Sequence, residues 1–372
     1  MASSKYKLGQ FIERSTGNNR LLTYGEELIV GVTSEGVFSS PKGNVNGVDL
    51  QPYKIVRNGD FVYNPSRFDL GSIAYRTEGL CIVSHLYQVF HLNEEGKNMI
   101  DPIWLFIYLR RDEFKREITF RNFGSQRPEF NFNDLSEIEL PLPSLEKQKK
   151  YVALYQAAYD NLKAYETRLD SLKLVCDGYI DKLEKSTKVE KIGKYLSLCS
   201  ETNMVGKYSV DDVRVISVDK TFIETKANMQ GVSLLTYKLV KPRDFAYVAD
   251  TSRRGDKIAL ALNTSNSTLL VSSIYTVFRV NDVDILLSDY LAMFFHRPEF
   301  DRYARYCSWG SARETFDWDE MCNVQIPIPS IDIQRDIVNI YQCYLERRQI
   351  ADQMREKIKN LCPVLIRGSL QE

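Results

Sequence analysis

Leu140-Pro141-Leu142-Pro143-Ser144-Leu145-Glu146-Lys147-Gln148 returns 186 residues later as Ile326-Pro327-Ile328-Pro329-Ser330-Ile331-Asp332-Ile333-Gln334. Alternating prolines remove ladder N–H donors, so each stretch suits an edge strand or an exit segment, not a central strand. The segment after each of them reads as helix. A 4,3 spacing runs from Tyr151 through Tyr155, Ala158, Leu162, Tyr165, Leu169, Leu172, Cys176, Tyr179 and Leu183. A second runs from Ile340 through Tyr344, Arg347, Ala351, Met354, Ile358, Leu361 and Leu365. Such stripes mark helices that bury one seam against another helix. Ser144 and Ser330 stand at the N-cap positions, with Glu146 and Asp332 placing negative charge in the first turn. Lys147 and Ile333 leave the reciprocal capping box incomplete. The first helix meets no Pro or Gly until Gly178, whereas Pro363 predicts a kink or an end in the second.

The rest of the chain repeats too. Lys7-Leu8-Gly9 matches Lys191-Ile192-Gly193, and Asp60-Phe61-Val62-Tyr63 matches Asp244-Phe245-Ala246-Tyr247, both at a shift of 184. Val83-Ser84-His85-Leu86-Tyr87-Gln88-Val89-Phe90 matches Val271-Ser272-Ser273-Ile274-Tyr275-Thr276-Val277-Phe278 at 188, and Gly124-Ser125-Gln126-Arg127 matches Gly310-Ser311-Ala312-Arg313 at 186. Collinear order with nearly constant spacing identifies a tandem duplication. Each half is a mixed region with short β-like runs, such as Cys81-Ile82-Val83 and Leu269-Leu270-Val271, followed by a long helix. A helix of ~40 residues would reach ~60 Å at ~1.5 Å per residue, against ~34 Å for one turn of B-DNA. Two lobes on paired rods of that size would suit DNA about one turn apart; the same periodicity equally suits a coiled-coil dimer.

The 372 residues suit two domains. A composition 44% hydrophobic and 26% charged describes a soluble globular chain. No apolar run is long enough for a membrane span and the start lacks a secretory core, so a cytoplasmic address is expected. The seven cysteines form no C-x-x-C pair and read as buried free thiols in a reducing compartment. Lys plus Arg equals Asp plus Glu at 49 each, so no global field draws the chain to phosphate. Any DNA-binding face must gather its cations locally or borrow them from a partner.

Globular region, L-P-L-P-S-L-x-x-Q and long helix, then all of it again, resembles the specificity subunits of Type I restriction–modification enzymes. The Asp60 to Tyr63 and Gly-Ser-x-Arg blocks are similar to the family's, although Lys147 and Ile333 stand where the family usually has Glu. The resemblance implies an α+β fold of two pseudo-symmetric, mixed α/β target recognition domains separated by two long antiparallel coiled-coil helices. It places the first recognition domain at 1–144, a spacer helix at 145–185, the second recognition domain at 186–330 and a second spacer helix at 331–372. Each recognition domain would read half of a bipartite double-stranded DNA site, and the helices would set the spacer. Two methyltransferase subunits would dock beside the helices and bring S-adenosylmethionine; motor-nuclease subunits would add ATP- and Mg-dependent restriction. This chain itself would carry no cofactor, no metal and no catalytic residue.

The residues themselves agree with that expectation. Tyr63-Asn64-Pro65-Ser66 lacks the second proline and aromatic of an adenine methyltransferase motif, and no phosphate-binding glycine loop is present. Glu113-Phe114-Lys115 and Glu224-Thr225-Lys226 have a nuclease-like E-x-K form that a highly charged chain produces by chance. His85, His91 and His296 lack metal or triad spacing. A self-sufficient nuclease or methyltransferase and a helical adaptor without DNA reading are the competing readings.

Residues that differ between the halves are the candidates for base readout: Asn64, Arg67, Arg76, Arg121, Asn122 and Gln126 in the first, and Thr251, Ser252, Arg253, Arg254, Lys257, Ser308 and Trp309 in the second. Arg127 and Arg313, present in both, suit phosphate contact or a structural turn. Phe130, Phe132, Phe316 and Trp318 read as core. The expected helix–helix seam comprises Leu162, Tyr165, Leu169, Leu172 and Tyr179 with Tyr344, Ala351, Met354, Ile358 and Leu361.

Overall fold

Because Gly, Asn, Asp and Pro keep interrupting the apolar runs, the strands are only two to six residues long. The computed structural model describes residues 5–41, 43–121, 129–251, 257–310 and 314–370. Contacts divide the chain into one unit of Met1–Ala164 with Ile350–Glu372 and another of Tyr165–Gln349.

In the first unit a four-stranded antiparallel sheet runs in the order Ile12–Arg14, Gln88–Leu92, Asp60–Tyr63, Ile73–Tyr75. Strand periodicity sends Phe61, Tyr63 and Phe90 to one face, where they pack with Phe68, Trp104, Phe114 and Phe130. Val62, Ala74 and Val89 leave the other face for a smaller cluster with Val56, Cys81 and Val83. Four helices follow the sheet: Glu94–Met99, Pro102–Leu109, Asp112–Arg121 and Phe132–Ser136. Among the described residues the strand Glu139–Pro141 pairs only with Lys5–Lys7, the edge role its prolines impose.

The second unit repeats this plan. Its four-stranded sheet has the order Leu196–Cys199, Tyr275–Val280, Phe245–Val248, Leu260–Leu262. Helices Ser288–Phe295, Pro298–Tyr306 and Trp318–Asn323 follow, and Gln325–Pro327 pairs with Val189–Lys191. Phe130 and Phe316 lie in the cores of their units, and Phe132 and Trp318 pack against those cores beside Phe90 and Phe278. The repeated Gly9 and Gly193 also gain a reason. A Cβ there would lie 2.8 Å from Ser136 Cβ and 2.6 Å from Cys322 Cβ respectively, so only glycine admits the helix that passes over it.

The long helices span Leu145–Ser186 and Ile331–Leu370. Within the first unit the start of the former lies against the end of the latter, with Tyr151, Tyr155, Ile358, Leu361, Leu365 and Ile366 in one core. Leu162 and Ala351 are also buried there. Within the second unit, Ile180 and Leu183 pack with Ile333, Ile337 and Tyr341. Tyr165 sits beneath the Arg347 guanidinium at 4.7 Å, and Leu169, Leu172 and Tyr344 are half-buried. Met354, in the first unit, is half-buried too.

Three expectations need correction. Tyr179 is 41% exposed and Ile180, at 1%, takes its place. A straight helix drifts ~20° per heptad, so over the four heptads from Tyr151 to Tyr179 the stripe moves about one residue onward. The second helix does not end at Pro363 but continues to Leu370. Burial of Leu365, Ile366 and Ser369 beyond the proline holds that last segment, and Ser369 Oγ accepts the Trp104 indole N–H at 3.0 Å. Of the seven free cysteines only Cys81 and Cys176 are buried; Cys343 is exposed. Among the described residues, no helix is long and apolar enough to cross a membrane.

Candidate nucleic-acid interface

Each unit joins two segments at one edge. In the first, the central strand Asp60–Tyr63 exits into a turn at Pro65–Arg67, capped by Asn64 Oδ1 accepting from Ser66 N–H at 3.0 Å. Phe130 N–H donates to Pro65 O at 3.1 Å, so this turn abuts the segment that follows the Gly-Ser-x-Arg block. In the second, Phe316 N–H donates to Ala249 O at 2.8 Å, and Thr251 N–H to Glu314 O at 3.1 Å. Asp250 and Trp309 both bridge to Thr315. In both units the loop leaving the central strand therefore meets the loop leaving the helix after it.

That junction gathers Asn64 and exposed Arg67 in the first unit, with Trp309 close by its counterpart in the second. Trp309 is 68% exposed, and Lys257 is exposed where its loop returns. Arg121, at the end of the helix Asp112–Arg121, is exposed and paired with Glu117 at 2.9 Å. Arg76 lies elsewhere. It follows the opposite end of the hairpin, its N–H bonded to Asp60 O, with its guanidinium 5.3 Å from the Phe38 ring. Thr251 and Ser308 are corrected as base readers. They are 3% and 8% exposed and bonded to each other at 2.9 Å, so neither offers a free polar edge. Asn122, Gln126, Arg127, Ser252, Arg253, Arg254 and Arg313 lie outside the described residues.

Cations around these helices are largely answered by neighbouring carboxylates. Lys97 pairs with Glu94 at 2.6 Å, Lys115 with Asp112 at 3.0 Å and Arg302 with Glu299 at 2.8 Å; Arg305 pairs with Glu314. Two aromatic residues escape notice in the sequence: Phe120 and Tyr306, 186 residues apart, are each 82% exposed at the ends of matching helices. Their shared spacing was the available signal.

Gln148 and Gln334 supply the other missed role. Both side chains are fully buried. Gln148 Nε2 donates to Met99 O and Pro143 O, each at 2.9 Å, while its Oε1 accepts from Asp101 N–H at 2.8 Å. Gln334 does the same with Ile285 O, Pro329 O and Leu287 N–H, at 2.8, 2.9 and 2.9 Å. One side chain thus ties the start of each long helix to the globular part of its own unit.

One cleft of about 590 Å³ in the first unit brings Ser15, Asp60 and His91 together. Ser15 Oγ donates to Asp60 Oδ1 at 2.9 Å and stands 2.9 Å from His91 Nδ1. The carboxylate bonds the serine, not the far ring nitrogen, so the imidazole lacks the orientation of an acyl-transfer triad. At the matching positions the second unit has Cys199, Asp244 and Arg279, with Arg279 bonded to Asp244 at 3.0 Å. A cross-strand tie accounts for both. Among the described residues no three His, Cys, Asp or Glu are placed to hold a metal ion.

Residues 4–174 match the family model for the Type I restriction modification DNA specificity domain. No curated protein matches the chain. Among solved structures it is similar to the S subunit of a Type I restriction-modification system from M. genitalium, with a TM-score of 0.59 and 12% identity over 100% of this chain and 98% of that one. That likeness is one of fold. The HsdS subunit from Thermoanaerobacter tengcongensis matches at a TM-score of 0.39 and 16% identity, over 99% of this chain and 96% of that one. A structure concerned with complex assembly and conformational transition of the type I R-M system matches at 0.49 and 16%, over 99% and 97%. The matched residues contain the whole globular part of the first unit, and the second unit repeats its strand order and motifs. Residues 4–174 thus match the Type I restriction modification DNA specificity domain, and the second unit repeats the strand order of the first.

Proposed function

We propose that this chain is the non-catalytic address of a Type I complex and that each globular half reads one part of a split DNA sequence. The carrying observation is the repeated junction of strand-exit and helix-exit loops, one per unit, in a chain whose residues 4–174 match this specificity domain. Residues that differ at the two junctions, Asn64 and Arg67 against Lys257 and Trp309, are the described candidates for base contact; Arg121 adds backbone contact once it leaves Glu117. In this reading the recognition domains are 1–144 and 186–330, and the helices 145–185 and 331–372 fix the unread spacer and receive two methyltransferase subunits. Those partners bring S-adenosylmethionine, and motor-nuclease subunits bring ATP and Mg.

The test is to co-express the chain with its methyltransferase subunits and map methylated adenines across the host DNA. A bipartite motif is expected, and exchanging residues 1–144 for another recognition domain should rewrite one half only. A single undivided motif, or a rewrite of both halves, would overturn the proposal.

A further inference from the structure

In the second unit one helix holds both feet of the loop that leaves the central strand. At the first foot Thr251 Oγ1 donates to Ser308 Oγ at 2.9 Å, and Ser308 Oγ donates to Ala304 O at 2.6 Å. At the second, Ile258 N–H donates to Asp301 Oδ1 at 3.2 Å. Asp301 and Ala304 lie one turn apart on the helix Pro298–Tyr306, and Ser308 lies just past its end.

Asp301 is held in turn. Lys220 Nζ lies 2.7 Å from its Oδ1, also donates to Phe295 O, and sits 5.4 Å over the Phe300 ring. The Lys220 side chain is 4% exposed and that of Asp301 11%. Neither feature is one the fold requires. Lys220 occupies left-handed backbone at φ 57°, a conformation that disfavours any side chain. Burying two charges also carries a desolvation cost that their attraction repays only with good geometry and further hydrogen bonds. The first unit makes the same turn with Gly36 at φ 75° and has Lys115 where the second has Asp301, so it folds without the pair. A buried pair present in one copy, with its carboxylate on a loop foot, points to a role specific to that copy.

We propose that Lys220 and Asp301 are positioning residues for the second half-site: the ammonium fixes the carboxylate, and the carboxylate fixes the Ile258 foot from which Lys257 reaches DNA. This rests on the DNA-reading function proposed above. It confines the effect to one half of the motif.

The experiment compares two double variants in the complex with methyltransferase subunits, read by methylation mapping and by assembly. Lys220→Met with Asp301→Leu removes both charges and the acceptor for Ile258 N–H. Lys220→Met with Asp301→Asn removes both charges but keeps an Oδ1 acceptor. The Leu pair should raise methylation at sites mismatched in one half-motif by about tenfold, the scale of one lost base discrimination, with the other half unchanged. The Asn pair, which keeps the acceptor but loses the ammonium that fixes it, should relax the same half-motif by less than the Leu pair. Unchanged selectivity in the Leu pair, equal relaxation of both halves, or wild-type selectivity in the Asn pair would each overturn the inference. Should the Leu pair fail to assemble, Lys220→Arg with Asp301→Glu carries the test, because it keeps the ion pair while displacing the foot. A shift in the same half-motif is then expected, and an unchanged motif overturns the inference. Failure of the wild-type complex to give a bipartite motif would instead sink the function proposed above.

Discussion

Replacing Gln148 by Leu should loosen the first unit at the root of its long helix. The two side chains have similar volume, so the change is chiefly the loss of three hydrogen bonds. Met99 O, Pro143 O and Asp101 N–H all lose their partner. A buried group left unpaired costs about 1–3 kcal/mol. Met99 is exposed and Asp101 and Pro143 are half-buried, so water reaches part of this cluster and the low end applies. Three groups at about 1 kcal/mol each give about 3 kcal/mol. Gln148→Glu should cost more at neutral pH, since it turns an anion toward two carbonyl oxygens. Its penalty should shrink as the carboxylate protonates in acid. Hydrogen exchange resolved to peptides covering 94–110 and 140–152 is the direct assay, with urea unfolding as the global measure. Protection should fall by about two orders of magnitude, since 1.4 kcal/mol is a factor of ten. Gln334→Leu should repeat the effect around Ile285 and Leu287, leaving the first unit's exchange unchanged. A loss below about 0.5 kcal/mol, the range of ordinary surface changes, or equal loosening of both units by either variant, would refute the reasoning.

Other side chains lend themselves to the same kind of perturbation. Arg297→Met strips a 7%-exposed guanidinium from Asp181, Glu184, Glu299 and Asp177 at 2.5, 3.2, 3.6 and 3.8 Å. Because those carboxylates are partly solvated, a urea-measured loss of about 1–2 kcal/mol is expected, short of a fully buried pair. Gly178→Ala meets open space in a helix and should gain about 0.5–1 kcal/mol in urea unfolding. Gly368→Ala should lose stability in the same assay, since its Cβ would fall 2.8 Å from the Tyr151 ring. Burial holds the His296 imidazole below its ordinary 6.5, against the opposing bond to Ala292 O. The unfolded chain therefore takes up that proton first, so stability should be full above about pH 6.5 and fall as pH drops toward the native value. A His296→Gln variant should lack that component, and identical pH profiles would contradict the assignment.

The duplication was legible because backbone-dictated residues survive divergence: Gly9 and Gly193 admit a crossing helix, and the paired prolines end pairing at an edge. The helices were legible through their stripes, although a strict 4,3 count put Tyr179 in the seam where accumulated rotation brings Ile180. Pro363 was misread because a local breaker was weighed without the tertiary burial that lies beyond it. The glutamines appeared as letters in a motif. Their role required knowing that Met99 and Asp101 come beside the helix start, a contact that sequence spacing does not encode. The candidate interface was legible as loops, not as side chains. Thr251 and Ser308 are polar enough to read a base, yet they spend that polarity on each other. Lys220 gave no signal, since a lysine at a glycine's position looks like ordinary drift until its turn and its carboxylate partner are seen together.

The pairing of Lys97, Lys115, Arg121, Arg302 and Arg305 with nearby carboxylates bears on how a subunit of the proposed function would search a chromosome. Cations already neutralised displace few counterions from a duplex, so they add little to the sequence-independent attraction that grows as salt falls. Under the proposed function, dwell time on random DNA would then be short. Retention would depend on features found only at the correct address, and most genomic positions would act as weak competitors instead of traps.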